Sequence, residues 1–320
     1  MADAESQIPC ATRNVSSTGT DTFTSKRLPV VRVLLDFAIL TFTWLGLETI
    51  SRYIGPYERG IFCDDESIRL PYRTGTVSGT ALFAFCFVVP AIAIVATEAY
   101  RLFKSSTSDE HFLEYERGRP FHYRLGIRFL FFQGYFFMAF VVTMIFTIIT
   151  KFPVGRLRPH FLDVCKPNIN LTNCAEYGNQ YITSFECTTH NQHLVMEARL
   201  SFFSGHSSLS LCATTFTVLY LQSRLHGHLG SKVILILLQA FVLSSGMFIA
   251  YSRVFDHMHH SSDVLIGMIV GILTAVTVAL GIAKFEMPSP RRCKNAYGHA
   301  TDPSKYRPAT VSNGSATDIP

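Results

Sequence analysis

The chain has 320 residues, of which 48% are hydrophobic and only 16% charged, with 27 Phe against a single Trp. A soluble domain carries about 25% charged residues, so this composition excludes a typical cytosolic enzyme, a coiled coil and a disordered chain. Eight Cys are too sparse for a disulfide scaffold, and a net charge of +5 without a dense basic block excludes a nucleic-acid binder.

In chain order, residues 1–29 are polar and rich in Ser and Thr, with no apolar core of a signal peptide. No cleavable signal is therefore expected, and the first apolar run serves as its own insertion signal. Neither a Gly at position 2 nor a C-terminal prenylation box marks a lipid anchor. A membrane-crossing helix needs about 20 mostly apolar residues. Six such runs follow, at 30–50, 77–99, 126–150, 205–222, 232–251 and 263–284. They make residues 30–284 a six-span, all-α integral membrane domain. The tail 285–320, rich in Pro, Ser, Asn and Gly, is expected to be disordered.

With both termini on one side, that side holds 18 of the 28 Lys and Arg residues, and the positive-inside rule makes both termini cytosolic. Cys63, Cys165, Cys174 and Cys187 then all fall on the outer side, where disulfides persist. Four cysteines allow three pairings, and spacing does not choose among them. The sequon at Asn170 lies in the long outer loop and is expected to carry a glycan. Those at Asn14 and Asn313 lie in the tails and are expected to stay bare.

Three segments at the outer face hold residues with chemistry. The first runs K-F-P-V-G-R-L-R-P from Lys151 to Pro159. The second, F-F-S-G-H-S-S, contains Ser204, Gly205 and His206 at the start of span four. The third follows span five and contains Arg253, Asp256, His257, His259, His260 and Asp263. Lys151, Arg156, Arg158 and Arg253 are cations, and Arg offers a forked donor set that matches phosphate oxygens. A helix opening at Ser204-Gly205-His206 presents free N–H groups and a positive dipole end to an anion. His259 and Asp263 are four apart and share a helix face. The carboxylate can hold one ring nitrogen and leave the other as nucleophile or base. His206 is a second imidazole for proton transfer. Together these residues describe phosphoryl transfer to histidine.

The three segments resemble the type 2 phosphatidic acid phosphatase superfamily, whose patterns are K-x6-R-P, P-S-G-H and S-R-x5-H-x3-D. Lys151 with Arg158-Pro159 fits the first, and Ser252-Arg253, His259 and Asp263 fit the third. The second departs, with Phe203 in place of Pro, as in the animal lipid phosphate phosphatases. Those enzymes are also similar at G-R-L-R-P-H-F-L-D-V-C (155–165), Y-E-R-G-I-F-C (57–63) and S-D-V (262–264). The resemblance covers about residues 26–285. It implies a core bundle shared with vanadium haloperoxidases, no cofactor and no metal. His259 would be the nucleophile, Asp263 its orienting partner, and His206 the acid and then the base. Lys151, Arg158, Ser204, Gly205 and Arg253 would bind the phosphate. Phe255 and His257 depart from the usual family residues and are expected to tune substrate choice.

The expected substrates are phosphatidate, lysophosphatidate, sphingosine 1-phosphate and ceramide 1-phosphate, dephosphorylated at the outer face of the plasma membrane or the luminal face of an internal one. Four readings compete with this. A catalytically weak relative could bind lipid phosphates as a signalling scaffold, but Lys151, Arg158, His206, Arg253, His259 and Asp263 are all intact. A transporter would line a path through the membrane with polar residues rather than gather them at one surface. A metal site built on His206, His257, His259 and His260 lacks a completing Cys or carboxylate set at ligand spacing. A serine lipase lacks the G-x-S-x-G elbow. His260 reads as a structural hydrogen-bonding residue. Gly267 and Gly271 form a G-x-x-x-G in span six that permits close helix packing, and with it a homo-oligomer.

Overall fold

The structure is a computed structural model that describes residues 30–104, 112–116, 118–169 and 180–285. Both tails, the sequons at Asn14, Asn170 and Asn313, and Cys174 lie outside the described residues. The elements in order are α1 (Val30–Ile54), β1 (Ile61–Phe62), α2 (Gly79–Lys104), α3 (Leu113–Glu116), α4 (Phe121–Val154), α5 (Phe161–Cys165), β2 (Tyr181–Ile182), α6 (Gln192–Ala198), α7 (Gly205–Leu225), α8 (Lys232–Phe255) and α9 (Ser261–Val276), the last continued by a π turn at Thr277–Ile282. Apart from one two-residue strand pair, the described architecture is all-α.

Five helices are long and apolar enough to cross a membrane: Val33–Ile54, Gly79–Lys104, Phe121–Val154, Lys232–Phe255 and Ser261–Ile282. The protein is a multi-pass, all-α integral membrane protein. The fourth expected span, α7, is a helix of 21 residues but is less apolar than the others. Its place explains this: α7 is the hub of the bundle, packed by α2, α4, α8 and α9. Ser207, Ser208, Ser210, Thr214 and Thr217 on it are buried. All but Ser207 return their hydroxyls to carbonyls, as in Thr217 Oγ1 to Ala213 O at 2.7 Å and Ser210 Oγ to Gly246 O at 3.1 Å, while Ser207 Oγ donates to Ser204 Oγ. Small side chains bring the axes close without leaving a polar group unpaired.

The partners of α7 are glycines. A Cβ on Gly246 would lie 2.6 Å from Thr214 Oγ1, one on Gly267 would lie 2.6 Å from Ser204 O, and one on Gly271 would collide with the Ser208 carbonyl. The G-x-x-x-G motif is thus used inside the chain, to seat α9 on α7. Around this polar seam lies an aromatic core in which Phe132, Phe136, Phe140, Phe216, Tyr220 and Phe285 meet in edge-to-face and tilted pairs. Helix α1 packs on α4, through a Phe37–Phe137 stack at 4.9 Å.

At one end of the bundle, the connections build a small second core from Ile61, Ile68, Leu157, Phe161, Val164, Val195 and Ala198. Of the three pairings the sequence allows, the structure takes Cys165–Cys187. Cys63 is disulfide-bonded as well. This core clamps the segment after α4, as described next.

Candidate active site

Helix α4 ends at Gly155, which adopts φ 54 and returns its N–H to the Lys151 carbonyl at 3.0 Å. The left-handed conformation favours glycine, and a Cβ there would collide with the Tyr57 carbonyl. The turn leaves Lys151 on the last turn of α4 and sends 156–160 across the end of the bundle. The backbone there is pinned from three sides: Arg158 N to Ala198 O at 2.8 Å, Ser201 N to Arg156 O at 2.9 Å, and Leu70 N to Pro159 O at 2.9 Å.

The second segment opens α7. Ser204 is its N-cap, and its Oγ accepts the Ser207 hydroxyl at 2.9 Å. The Ser204 N–H donates to the Asp263 carbonyl at 3.1 Å, tying the start of α7 to the start of α9. Lys151 Nζ lies 3.9 Å from the point a Gly205 Cβ would occupy. The ammonium therefore stands at the positive end of α7, an arrangement that favours an anion there.

The third segment leaves α8. The carbonyl of Arg253 accepts from both Met258 N (3.0 Å) and His259 N (3.2 Å), curling the chain so that His259 turns inward with 4% exposure. Its Nδ1 lies 3.4 Å from Ser201 Oγ and 3.9 Å from Asp263 Oδ2. Ser201 donates its hydrogen to Asp263 Oδ2 at 2.6 Å, so its oxygen accepts the His259 Nδ1–H. That assignment leaves the Nε2 lone pair free. Burial above all, with the charges of Arg158 and Lys151, holds the His259 imidazole well below its ordinary pKa, against the pull of Asp263. The ring is neutral and nucleophilic at pH 7.

Here the geometry differs from the sequence expectation. Asp263 does not grip His259 directly, because it is turned into the first turn of α9. There its Oδ2 accepts His260 N at 3.1 Å and His260 Nδ1 at 3.2 Å, while Oδ1 takes Arg156 Nη1 at 2.5 Å. Arg156, grouped by sequence with the other cations, is engaged by Asp263 and Ser262. Arg158 lies between Glu197 Oε2 (3.3 Å) and Met258 Sδ (3.8 Å), and its Nε is buried without a partner among the described residues. Arg253 pairs with Asp256 at 2.8 Å. His206 donates Nε2–H to the Val77 carbonyl at 3.2 Å, which leaves Nδ1 as its titrating nitrogen. Phe255 is 71% exposed and outside this cluster, whereas His257 Nδ1 donates to the Pro71 carbonyl at 3.1 Å.

The structure thus brings Lys151, Arg158, Ser204, Gly205, His206, Arg253, His259 and Asp263 to one end of the bundle. Among the described residues, no group of three or more His, Cys, Asp or Glu side chains is placed to hold a metal ion. The site is a cationic cradle beside a free imidazole nitrogen, suited to a tetrahedral oxyanion.

The model of the PAP2 superfamily matches residues 132–286, which include all of these positions. The chain is 34% identical to Phospholipid phosphatase 1 of Rattus norvegicus over 82% of its own length and 88% of that protein. It is 32% identical to Phospholipid phosphatase 2 of Homo sapiens over 82% and 87%. Similarity to Phospholipid phosphatase homolog 1.2 homolog of Caenorhabditis elegans is higher, 40%, but spans 69% of this chain and 64% of that one. The chain belongs to the phospholipid phosphatase family of the PAP2 superfamily. No solved structure matches it.

Within this family member, several residues beyond the three motifs hold the site together. Ser201, buried between Asp263 and His259, has one sequence signal: it stands three residues before Ser204. Glu197 faces Arg158 at 3.3 Å and Arg52 at 3.6 Å. Burial raises its carboxyl, but Arg158, Lys151 and Arg52 together outweigh that and hold it below the usual range. His160 donates Nδ1–H to the His257 carbonyl at 2.8 Å, joining the first motif to the loop that carries His259. Burial pushes its imidazole down to about 4, so the ring stays neutral there.

Proposed function

We propose that this protein is a lipid phosphate phosphatase that hydrolyses phosphate monoesters at the membrane surface through a phosphohistidine intermediate. The observation that carries the reading is the His259 ring, whose Nδ1 is held by Ser201, itself bonded to Asp263, while Nε2 is left unengaged and Lys151 and Arg158 are near enough for their charges to act on the ring. Nε2 attacks phosphorus, the phosphorus–oxygen ester bond breaks, and the leaving alkoxide takes a proton from His206. Water then attacks the phosphohistidine, His206 takes its proton, the phosphorus–nitrogen bond breaks and orthophosphate leaves. Lys151, Arg158, Arg253, Ser204 and the Gly205 N–H carry the charge on the equatorial oxygens. No step calls on a metal ion.

The two relatives named phospholipid phosphatase 1 and 2 support a phospholipid substrate. Phosphatidate, lysophosphatidate, sphingosine 1-phosphate and ceramide 1-phosphate all offer a monoester head for the cradle and chains for the bilayer. Helix α7 crosses as a sixth span, since 21 residues reach about 31 Å. The site then faces the outside of the plasma membrane, or the lumen of an internal one, with both termini in the cytosol. Glycosylation at Asn170 fits the same orientation. The test is phosphate release from these four lipids by purified protein in EDTA, with acid quenching to trap phosphohistidine. Turnover that requires zinc or magnesium, or a phosphorylated residue other than His259, overturns the mechanism.

A further inference from the structure

The segment between β1 and α2 belongs to none of the three motifs, yet residues 70–77 reach every one of them. Leu70 N donates to Pro159 O, and Tyr72 N donates to Asp163 Oδ2 at 2.8 Å, both beside the first motif. Val77 O accepts from His206 Nε2 in the second. The third motif is met twice. Pro71 O accepts from His257, and Thr76 gives Asp256 two hydrogen bonds, N to Oδ2 at 2.7 Å and Oγ1 to Oδ1 at 2.8 Å. Asp256 Oδ2 is also the acceptor of Arg253 Nη2 at 2.8 Å.

Two independent features therefore fix the Arg253 guanidinium from the strap. One is the Thr76–Asp256 pair, which sets the carboxylate that the guanidinium follows. The other is bare backbone: a Cβ on Gly75 would stand 2.9 Å from Arg253 Nη1 and 3.4 Å from Nη2. The guanidinium is packed against a position where a side chain would displace it. We infer that the 70–77 strap is a fourth part of the phosphate site, in which Gly75 and Thr76 are positioning residues for Arg253. The inference rests on the reading of this site as a phosphohydrolase site. It assigns to an exposed loop the task of aiming one phosphate-binding cation.

The geometry supplies variants that separate positioning from folding. An alanine at 75 meets only the far end of a flexible side chain, so the chain folds while the guanidinium is pushed aside. Thr76→Val keeps the shape and removes one donor to Asp256, and Thr76→Ser restores that donor. These variants are made in the full chain, with Arg253→Ala and His259→Ala as references. The readouts are inhibition by orthovanadate, kcat and KM on lysophosphatidate, and the thermal midpoint. Gly75→Ala and Thr76→Val are expected to weaken vanadate about tenfold, the effect of about 1.4 kcal/mol of misaligned charge-assisted contact. They lower kcat/KM to a similar extent without moving the midpoint, while Thr76→Ser binds vanadate as the natural protein does. Natural vanadate affinity in Gly75→Ala and Thr76→Val, with Arg253→Ala impaired, overturns the inference. So does a loss that tracks a lowered midpoint and is shared by Thr76→Ser. If Arg253→Ala and His259→Ala keep full turnover, the reading of the site itself falls.

Discussion

Replacing Ser201 by Ala tests the inner part of the site, because one hydroxyl there does two things. Ser201 has 0% exposure, donates to Asp263 Oδ2 at 2.6 Å and receives the His259 Nδ1–H at 3.4 Å. Without it, Asp263 still holds Arg156 and His260, so the carboxylate stays ionised and in place. His259, however, is left 3.9 Å from the nearest carboxylate oxygen, beyond hydrogen-bond reach. A hydrogen bond to a charged group is worth about 1.5–3 kcal/mol, and in the proposed mechanism it acts on the imidazolium-like charge that grows during attack by His259. Ser201→Ala is therefore expected to lower kcat by about 10- to 100-fold. Because Ser201, among the described residues, hydrogen-bonds to His259, Asp263 and the Arg156 carbonyl rather than to Lys151, Arg158 or Arg253, KM and vanadate inhibition should change little. The assay is steady-state hydrolysis of lysophosphatidate, together with the rate at which acid-labile phosphoenzyme appears after rapid mixing. A folded Ser201→Ala protein that forms phosphoenzyme at the natural rate would refute the relay from Asp263 through Ser201 to His259.

His259→Ala should form no acid-labile phosphohistidine, whereas His206→Ala should still form it from an activated aryl phosphate, with turnover lowered by about 10²–10⁴-fold; label on His206 reverses the assignment. Gly271→Ala, which drives a methyl into the Ser208 carbonyl, should lower stability by about 1–3 kcal/mol, while Gly281→Ala, with open space around it, should leave the thermal midpoint unchanged. Cys165→Ser opens a loop closed over 22 residues; a loss of about 3 kcal/mol should appear as a lowered midpoint and lower activity, since the same core pins Arg158 and Ser201. Glu98→Gln removes the charge shared by Arg128 and Arg224, and a loss of about 3–5 kcal/mol should be read as a lower midpoint in detergent.

The residues of the candidate site were legible because they lie in short segments at helix ends. A Lys on the last turn of α4, a Ser-Gly-His on the first turn of α7 and a His–Asp pair around the start of α9 are recognisable by residue type and spacing alone. What could not be read is whatever depends on distant chain. Thr76 and Asp256 are 180 residues apart, and neither has a partner that spacing reveals. Ser201 meets Asp263 across 62 residues of chain, which spacing does not reveal. The direct Asp263–His259 bond was expected because i and i+4 share a face, but the first turn of α9 claims that carboxylate for its own N–H groups. Hydropathy found the spans but gave α7 the same standing as the rest, although its polar face marks the helix that lipid does not reach. The G-x-x-x-G motif was equally ambiguous, since close packing can be met inside the chain as well as between chains.

The site also depends on what happens at the other end of the same helices. There Glu98 of α2 is buried against Arg128 of α4 (2.9 Å), Arg224 of α7 (2.8 Å) and Tyr220 of α7 (2.9 Å), and Arg128 turns to Glu116 at 2.6 Å. From Tyr220 to His206 is about 21 Å along α7, so this cluster stands well away from the site. Buried ion pairs contribute little net stability, because desolvation offsets most of their attraction. They are nevertheless intolerant of displacement, since any slip leaves a buried charge alone. Apolar contacts are less directional than paired charges and penalise a small slip less sharply. The phosphate cradle does not tolerate a slip, because Lys151 rides on the last turn of α4 and must meet the first turn of α7. A slip of one helical turn, about 5.4 Å, would carry its ammonium away from Gly205 altogether. The ion cluster fixes α2, α4 and α7 in one axial register at the far end. The strap, the clamped 156–160 segment and the Asp263 knot then set the fine geometry at the near end.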